Sequence, residues 1–238
     1  MGETTLLLTI VCWLWKGWHP VYLAEHVNVL ERMLQRYLTI PHRLVCVTDM
    51  PAGVSCETYP LWEKPQVKIK HGSPNCYRRL FLFSREACEI FGDRVLSIDL
   101  DCVILSDISS LITEDDFRIC YGTSSPYNGS MWLHKTGTRS QVWDDFDPAI
   151  SPGLPKKLLN EKGKPYYGSD QSWLAYKIPG EKVWNKSDGV YAYSRDIRHK
   201  PRPDNIKIIF FPGGLKPWMM KYYDKEIYRE YQQYMECI

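Results

Sequence analysis

"RVLSIDLDCVILSDI", residues 94–108, sets two carboxylates, Asp99 and Asp101, inside an otherwise apolar and β-branched run. Val95, Leu96, Ile98, Leu100, Val103, Ile104 and Leu105 suit an interior strand of a parallel sheet. Acids are costly there. If the chain stays extended, Asp99 and Asp101 share one face at the strand's carboxyl end, and two like charges so close cannot both stay ionised unsupported. A hard cation, Mn²⁺ or Mg²⁺, would let both ionise, taking oxygen ligands and completing its shell with substrate phosphates. The plainer alternative is a strand-end pair satisfied by Arg94, backbone amides or water, because D-x-D spacing also arises by chance.

The flanking sequence supplies the rest of a sheet. "LLLTIVCWLW", residues 6–15, reads as a first strand, and "HPVYLAEHVNVLERMLQRYL" after it places Leu23, Val27, Leu30, Leu34 and Leu38 along one helical face, with Pro20 suited to the first turn. "HRLVCVTDM" reads as a second buried strand ending at Thr48 and Asp49, and "ETYPLW" as a short third. "NCYRRLFLFSREACEIF", residues 75–91, reads as a helix leading into the Asp99 strand. Strands alternating with helices predict an α/β fold with a mainly parallel central sheet flanked by helices. Such sheets bind ligands at the carboxyl ends of their strands, where Asp99 and Asp101 fall. Further on, "FRICYG", "GSMWLHK" and "NIKIIFFP" read as strands and "DPAISPGLPKK" as a loop; there are no internal repeats.

Composition narrows the partner. A chain of 238 residues, 44% hydrophobic, can bury one substantial core, so a single domain is expected over 1–238. With 30 Lys and Arg against 28 Asp and Glu, the net charge of +2 offers little drive toward nucleic acid or anionic membrane. The eight cysteines lack C-x-x-C spacing, and Cys12, Cys46, Cys102 and Cys120 lie in apolar runs where a thiol acts as a small hydrophobe, which suits a reducing cytoplasm. The apolar opening carries Glu3 rather than basic residues, is followed by no small-residue cleavage site, and is far short of the ~20 residues of a membrane span.

Two enzyme families share a strand followed by D-x-D. "SIDLDCVIL" resembles the first motif of the haloacid-dehalogenase phosphatases, in which the first Asp is a nucleophile, but Cys102 stands where that family has glycine, and the later paired acids, Asp115-Asp116 and Asp144-Asp145, read as helix-start or loop acids. The sequence resembles more fully the GT-A glycosyltransferases of family 8 and their relatives, whose D-x-D holds a metal on the diphosphate of a nucleotide sugar. "CYRRL" is similar to their Y-x-R-L, which directs Arg79 toward the donor. "YNGSMWL" is similar to their N-x-G strand, which puts Asn128 beside a sugar. "GSDQSWLAY" resembles their D-Q helix start, with Asp170 and Gln171 facing the reacting sugar, and "IIFFPGGLKPW" resembles their closing H-F-x-G-x-x-K-P-W, in which Gly213 approaches the phosphates and Lys216 binds them.

The resemblance implies a metal-dependent transfer from a nucleotide sugar, a UDP-sugar foremost, to an unknown acceptor with retention, with 1–110 the nucleotide-binding half and 111–238 the acceptor side, Mn²⁺ or Mg²⁺ on Asp99 and Asp101, and Asp170 and Gln171 in catalysis. One position departs. The family's third metal ligand is a histidine, and alignment on Lys216-Pro217-Trp218 puts Phe210 there. The metal is then held by the two aspartates with phosphate and water, or by a substitute such as His199, or the chain is a non-catalytic nucleotide-sugar binder. Asp99→Asn and Asp101→Asn are expected to leave the fold intact, since each removes repulsion between the two acids.

Overall fold

The structure, a computed structural model, describes residues 7–16, 22–62, 75–123, 125–147 and 169–235. The apolar opening run forms β1 (Leu8–Leu14), buried along its whole length. Of the residues spaced for one helical face, Val27, Leu30 and Leu34 are buried in α1 (Ala24–Tyr37) with Val29 and Met33, and Leu38 is buried at its C-cap, whereas Leu23 precedes the helix and is exposed. Pro20 lies outside the described residues; the helix begins after Leu23, whose N–H donates to Nδ1 of His26 at 2.9 Å. β2 (His42–Thr48) pairs in parallel with β3 (Glu57–Pro60), Val45 opposite Glu57 and Thr48 opposite Pro60. Pro60 is tolerated because β3 is an edge strand.

Two expectations change in the middle of the chain. Residues 75–91 are not one helix: a 3₁₀ helix over Asn75–Phe83 gives way to α2 (Arg85–Phe91). Ser84 separates them, its extended backbone and its Oγ, which accepts the Ala87 N–H at 3.2 Å, making it the N-cap of the second piece. Residues 94–108 are likewise not one strand. β4 (Arg94–Ile98) stops before Asp99, the chain bends through Leu100 and Asp101, and β5 (Cys102–Ile104) joins a different sheet. The two acids therefore sit in a bend between sheets, which removes the shared strand face that alternation predicts.

After them come β6 (Phe117–Tyr121) and β7 (Tyr127–Lys135), an antiparallel pair with a register shift between Ile119 and Cys120. α3 (Gln141–Asp144) and α4 (Asp170–Lys177) follow; the expected loop over 147–157 lies outside the described residues beyond Asp147. β8 (Lys182–Trp184), β9 (Val190–Ala192), β10 (Ile208–Phe210) and α5 (Lys225–Gln232) complete the order. The strands make a mostly parallel seven-stranded sheet, β3-β2-β1-β4-β7-β6-β8, and a three-stranded sheet, β5-β10-β9. The leading 3-2-1-4 order is that of doubly wound nucleotide-binding sheets, so the expected α/β class holds. No helix among the described residues is long and apolar enough to cross a membrane.

The chain divides into two compact units that interleave along the sequence. One takes Met1–Thr9, Leu61–Leu96 and Asp115–Val183, the other Ile10–Pro60, Ser97–Glu114 and Trp184–Ile238, as far as these are described. In the first, aromatic rings dominate the core: Phe83 lies 4.4 Å from His134 and 5.8 Å from Phe117 between ring centroids, and Trp173 anchors α4 to α3 by donating Nε1–H to the Val142 carbonyl at 2.8 Å. In the second, α1 packs on the Cys102–Ile104 strand, and the Met33 sulfur lies 3.4 Å from the Ile104 amide nitrogen. Cys12, Cys46, Cys102 and Cys120 are all buried free thiols, as their apolar contexts predict.

His134 gives the first unit a pH dependence. It is fully buried on β7, and burial, with Arg139 and Arg94 nearby, pushes its imidazole down to about 3. An unfolded chain takes up that proton near pH 6.5, so between roughly 6.5 and 3 the unfolded state binds more protons and stability falls as pH falls. His26, which burial pushes down to about 4, acts in the same direction. His134→Phe keeps a ring in the cavity and removes one titrating group, so the melting temperature of the variant should decline less steeply from pH 7 to pH 4. Parallel melting curves for the two proteins would show that a neutral His134 does not carry this dependence.

Candidate functional site

Within the second unit, Asp101 is the centre of a small polar cluster. Its Oδ2 accepts from Lys216 Nζ at 2.5 Å and from the Tyr22 hydroxyl at 3.0 Å, and its backbone carbonyl accepts the Phe211 N–H at 2.9 Å. Lys216 also donates to the Phe211 carbonyl at 3.3 Å and lies 5.4 Å from the centroid of the Tyr22 ring. Burial pushes the Asp101 carboxyl up, opposed by the Lys216 ammonium and the Tyr22 hydroxyl. Lys216 is placed by the residues after it. Pro217 opens a 3₁₀ helix, Pro217–Tyr222, and the Trp218 ring stacks on His26 of α1 with centroids 3.8 Å apart. Gly213 is exposed at φ +94°, a left-handed conformation that favours glycine.

The first unit holds the other expected residues in a second cluster. Arg79, from the 3₁₀ helix, points to Asp170 at the start of α4: Nε donates to Oδ2 at 2.7 Å and Nη2 lies 2.5 Å from the same oxygen, both side chains buried. Nη1 donates to the Gly129 carbonyl at 2.8 Å, and the guanidinium stands 4.8 Å from the Trp132 ring centroid. A Cβ on Gly129 would come within 2.7 Å of Nη2, so the absent side chain makes room for the guanidinium. The Gly129 N–H donates to Gln171 Oε1 at 2.9 Å, which orients that amide and leaves its Nε2 without a protein partner among the described residues. Asn128 is turned inward on its own strand, accepting the Ser130 N–H at 2.9 Å. Ser169 caps α4, accepting the Ser172 N–H at 3.3 Å.

These contacts revise individual expectations. The guanidinium of Arg79, expected toward the donor, is engaged with the Asp170 carboxylate and the Gly129 carbonyl. Asp101 is balanced by an ammonium, and its amide variant would orphan that charge. Beside Asp99 and Asp101, few protein ligands among the described residues are open to a divalent cation. Phe210, in the histidine position, is a buried apolar side chain on β10 with its Cα opposite Cys102. His199 is exposed, and among the described residues no group of three or more His, Cys, Asp or Glu could hold a metal. Asp99 is half-buried just beyond β4, and one oxygen of Asp101 already carries two donors.

No protein-family model matches the sequence, and no curated protein does. Solved structures do. The galactosyltransferase LgtC, in complex with donor and acceptor sugar analogues, is similar over 94% of this chain and 95% of its own, at 14% identity and a TM-score of 0.58. The bifunctional glycosyltransferase WbbM is similar over 100% of this chain and 51% of its own, at 12% identity and a TM-score of 0.64. GlyE of Streptococcus pneumoniae TIGR4 is similar over 98% of this chain and 61% of its own, at 14% identity and a TM-score of 0.62. The chain shares the fold of these three glycosyltransferases.

Against that glycosyltransferase fold, two features escape the sequence reading. Tyr22 lies 79 positions before Asp101, and no spacing signal links them. The stack of His26 on Trp218 is also invisible locally, since His26 sits on the apolar face of an amphipathic helix, where a histidine reads as core.

Proposed function

We propose that the protein is a glycosyltransferase that moves a sugar from a nucleoside-diphosphate sugar, a UDP-sugar foremost, to an acceptor hydroxyl with retention at the anomeric carbon. The observation that carries this reading is the near full-length likeness to the LgtC fold. The two clusters support it chemically. Lys216 is a buried cation with the charge and donors to meet a diphosphate, and Gln171 presents an oriented amide beside the Asp170 carboxylate, a pairing suited to sugar hydroxyls.

In the transfer, the bond from the anomeric carbon to the phosphate oxygen breaks, and the diphosphate leaves with the electron pair. A bond from the acceptor oxygen to that carbon forms, and the acceptor's proton passes to the departing phosphate. Charge develops on the leaving group, so a fixed cation in a water-poor setting contributes most in the transition state. Lys216 fills that role, while Arg79 holds Asp170 and, through Gly129, indirectly Gln171.

Release of UDP from a panel of UDP-sugars, with water or simple glycosides as acceptor, tests the reading, and the anomeric configuration of the product reports retention. Gln171→Ala should lower turnover by roughly 10²-fold, the scale of one lost polar contact to a transition state, with the melting temperature held. Binding of nucleotide sugars with no turnover under any condition would favour a non-catalytic binder, the alternative that Phe210 motivates.

A further inference from the structure

We infer that this site binds its diphosphate without a divalent cation, with Lys216 in the place of the metal. The inference rests on the proposed function and concerns how that function meets the charge of its donor. A nucleoside diphosphate brings two or three negative charges, and a cleft must supply positive charge to hold it. A D-x-D site supplies it as a metal, which requires carboxylate oxygens free to ligate and a shell the protein helps to complete.

Here those requirements are not met. Oδ2 of Asp101 receives Lys216 Nζ and the Tyr22 hydroxyl, so two hydrogen-bond donors point at the oxygen a cation would take. A metal on that carboxylate would lie against an ammonium that is 92% withdrawn from solvent and held by Asp101 and the Phe211 carbonyl. Like charges at that separation in a buried setting repel strongly. The neighbouring strand offers no replacement ligand, because β10 presents Phe210, a side chain with no lone pair to give.

The same residues do fit an anion. An ammonium with three protons, two of them used by Asp101 and Phe211, keeps one to donate. The cation is fixed before ligand arrives: Pro217 starts the 3₁₀ helix directly after it, and Trp218 is stacked on His26, so the ammonium needs little ordering on binding. In this arrangement Asp101 is a positioning residue for Lys216, and Tyr22 steadies the carboxylate from its other side.

The test is calorimetric titration of the full chain with UDP, GDP and ADP and, separately, with inorganic pyrophosphate, in excess EDTA and again in millimolar Mn²⁺. The expected result is binding in EDTA with an affinity within about threefold of that in Mn²⁺. Lys216→Met should weaken binding by at least roughly 30-fold in both buffers, as truncation of a buried charged contact does. Because that variant also leaves Asp101 as an uncompensated carboxylate that repels an anion, the double variant Lys216→Met with Asp101→Asn, which leaves neither charge behind, is measured beside it and should still bind at least roughly 10-fold more weakly than the unsubstituted chain. UDP binding that appears only with Mn²⁺, or a double variant that keeps its affinity, overturns the inference and leaves the transferase reading standing. Absence of binding to UDP, GDP, ADP and pyrophosphate in both buffers overturns both.

Discussion

Arg79→Met is expected to destabilise the protein by about 3–5 kcal/mol, the usual cost of removing one partner from a buried ion pair. Asp170 is 2% exposed, and two guanidinium nitrogens meet one of its oxygens at 2.7 and 2.5 Å. Without Arg79 the carboxylate must stay charged in an apolar setting or take up a proton, and the Gly129 carbonyl loses its donor as well. For a chain of 238 residues this corresponds to a fall in melting temperature of roughly 6–20 °C. The paired variant Arg79→Met with Asp170→Leu removes both charges and should recover most of the stability, although it abolishes turnover under the proposed function. A double variant no more stable than the single one would show that packing against Trp132, and not the charge pair, makes Arg79 important.

Asp101→Asn should cost on the order of 3 kcal/mol, against the expectation, drawn from two repelling acids, that the fold would be indifferent to it. The reason is Lys216. Its ammonium is withdrawn from water and placed on Asp101 Oδ2, so the amide leaves a buried cation facing a neutral group. Urea unfolding of Asp101→Asn, Lys216→Met and the double variant forms a cycle in which the double variant should be more stable than either single one. Additive losses would mean that the two groups do not interact as the geometry states.

How much of this was legible depended on the range of each interaction. β1, β2 and β3 follow from hydrophobic period and turn residues, which act over a few positions, and lie where the sequence places them, whereas α1 begins at Ala24, later than the start expected at Pro20. The Ser84 break was also written locally, as an N-cap serine with Glu86 in the following turn, but a continuous apolar spacing on both sides masked it. The split of residues 94–108 into β4 and β5 had no local sign, because both pieces are equally apolar. What separates them is pairing: β5 lies antiparallel to β10, Val103 opposite Ile209, more than a hundred residues along the chain.

The same division runs through the candidate site. Motif chemistry named the residues: Arg79, Asp99, Asp101, Asn128, Asp170, Gln171 and Lys216 were all chosen for side chains that suit phosphate, metal or sugar. Sequence by itself also determined that Phe210 cannot ligate a cation, since that depends only on the identity of one side chain. Tertiary structure alone decided who partners whom. It set Lys216 on Asp101, 115 positions away, and Arg79 on Asp170, 91 positions away, giving each of two expected ligand-binding groups a buried counter-charge. The physical reason is that a charge taken out of water must find its counter-charge in space, and which counter-charge lies within reach is set by how the chain folds back, not by its order along the chain.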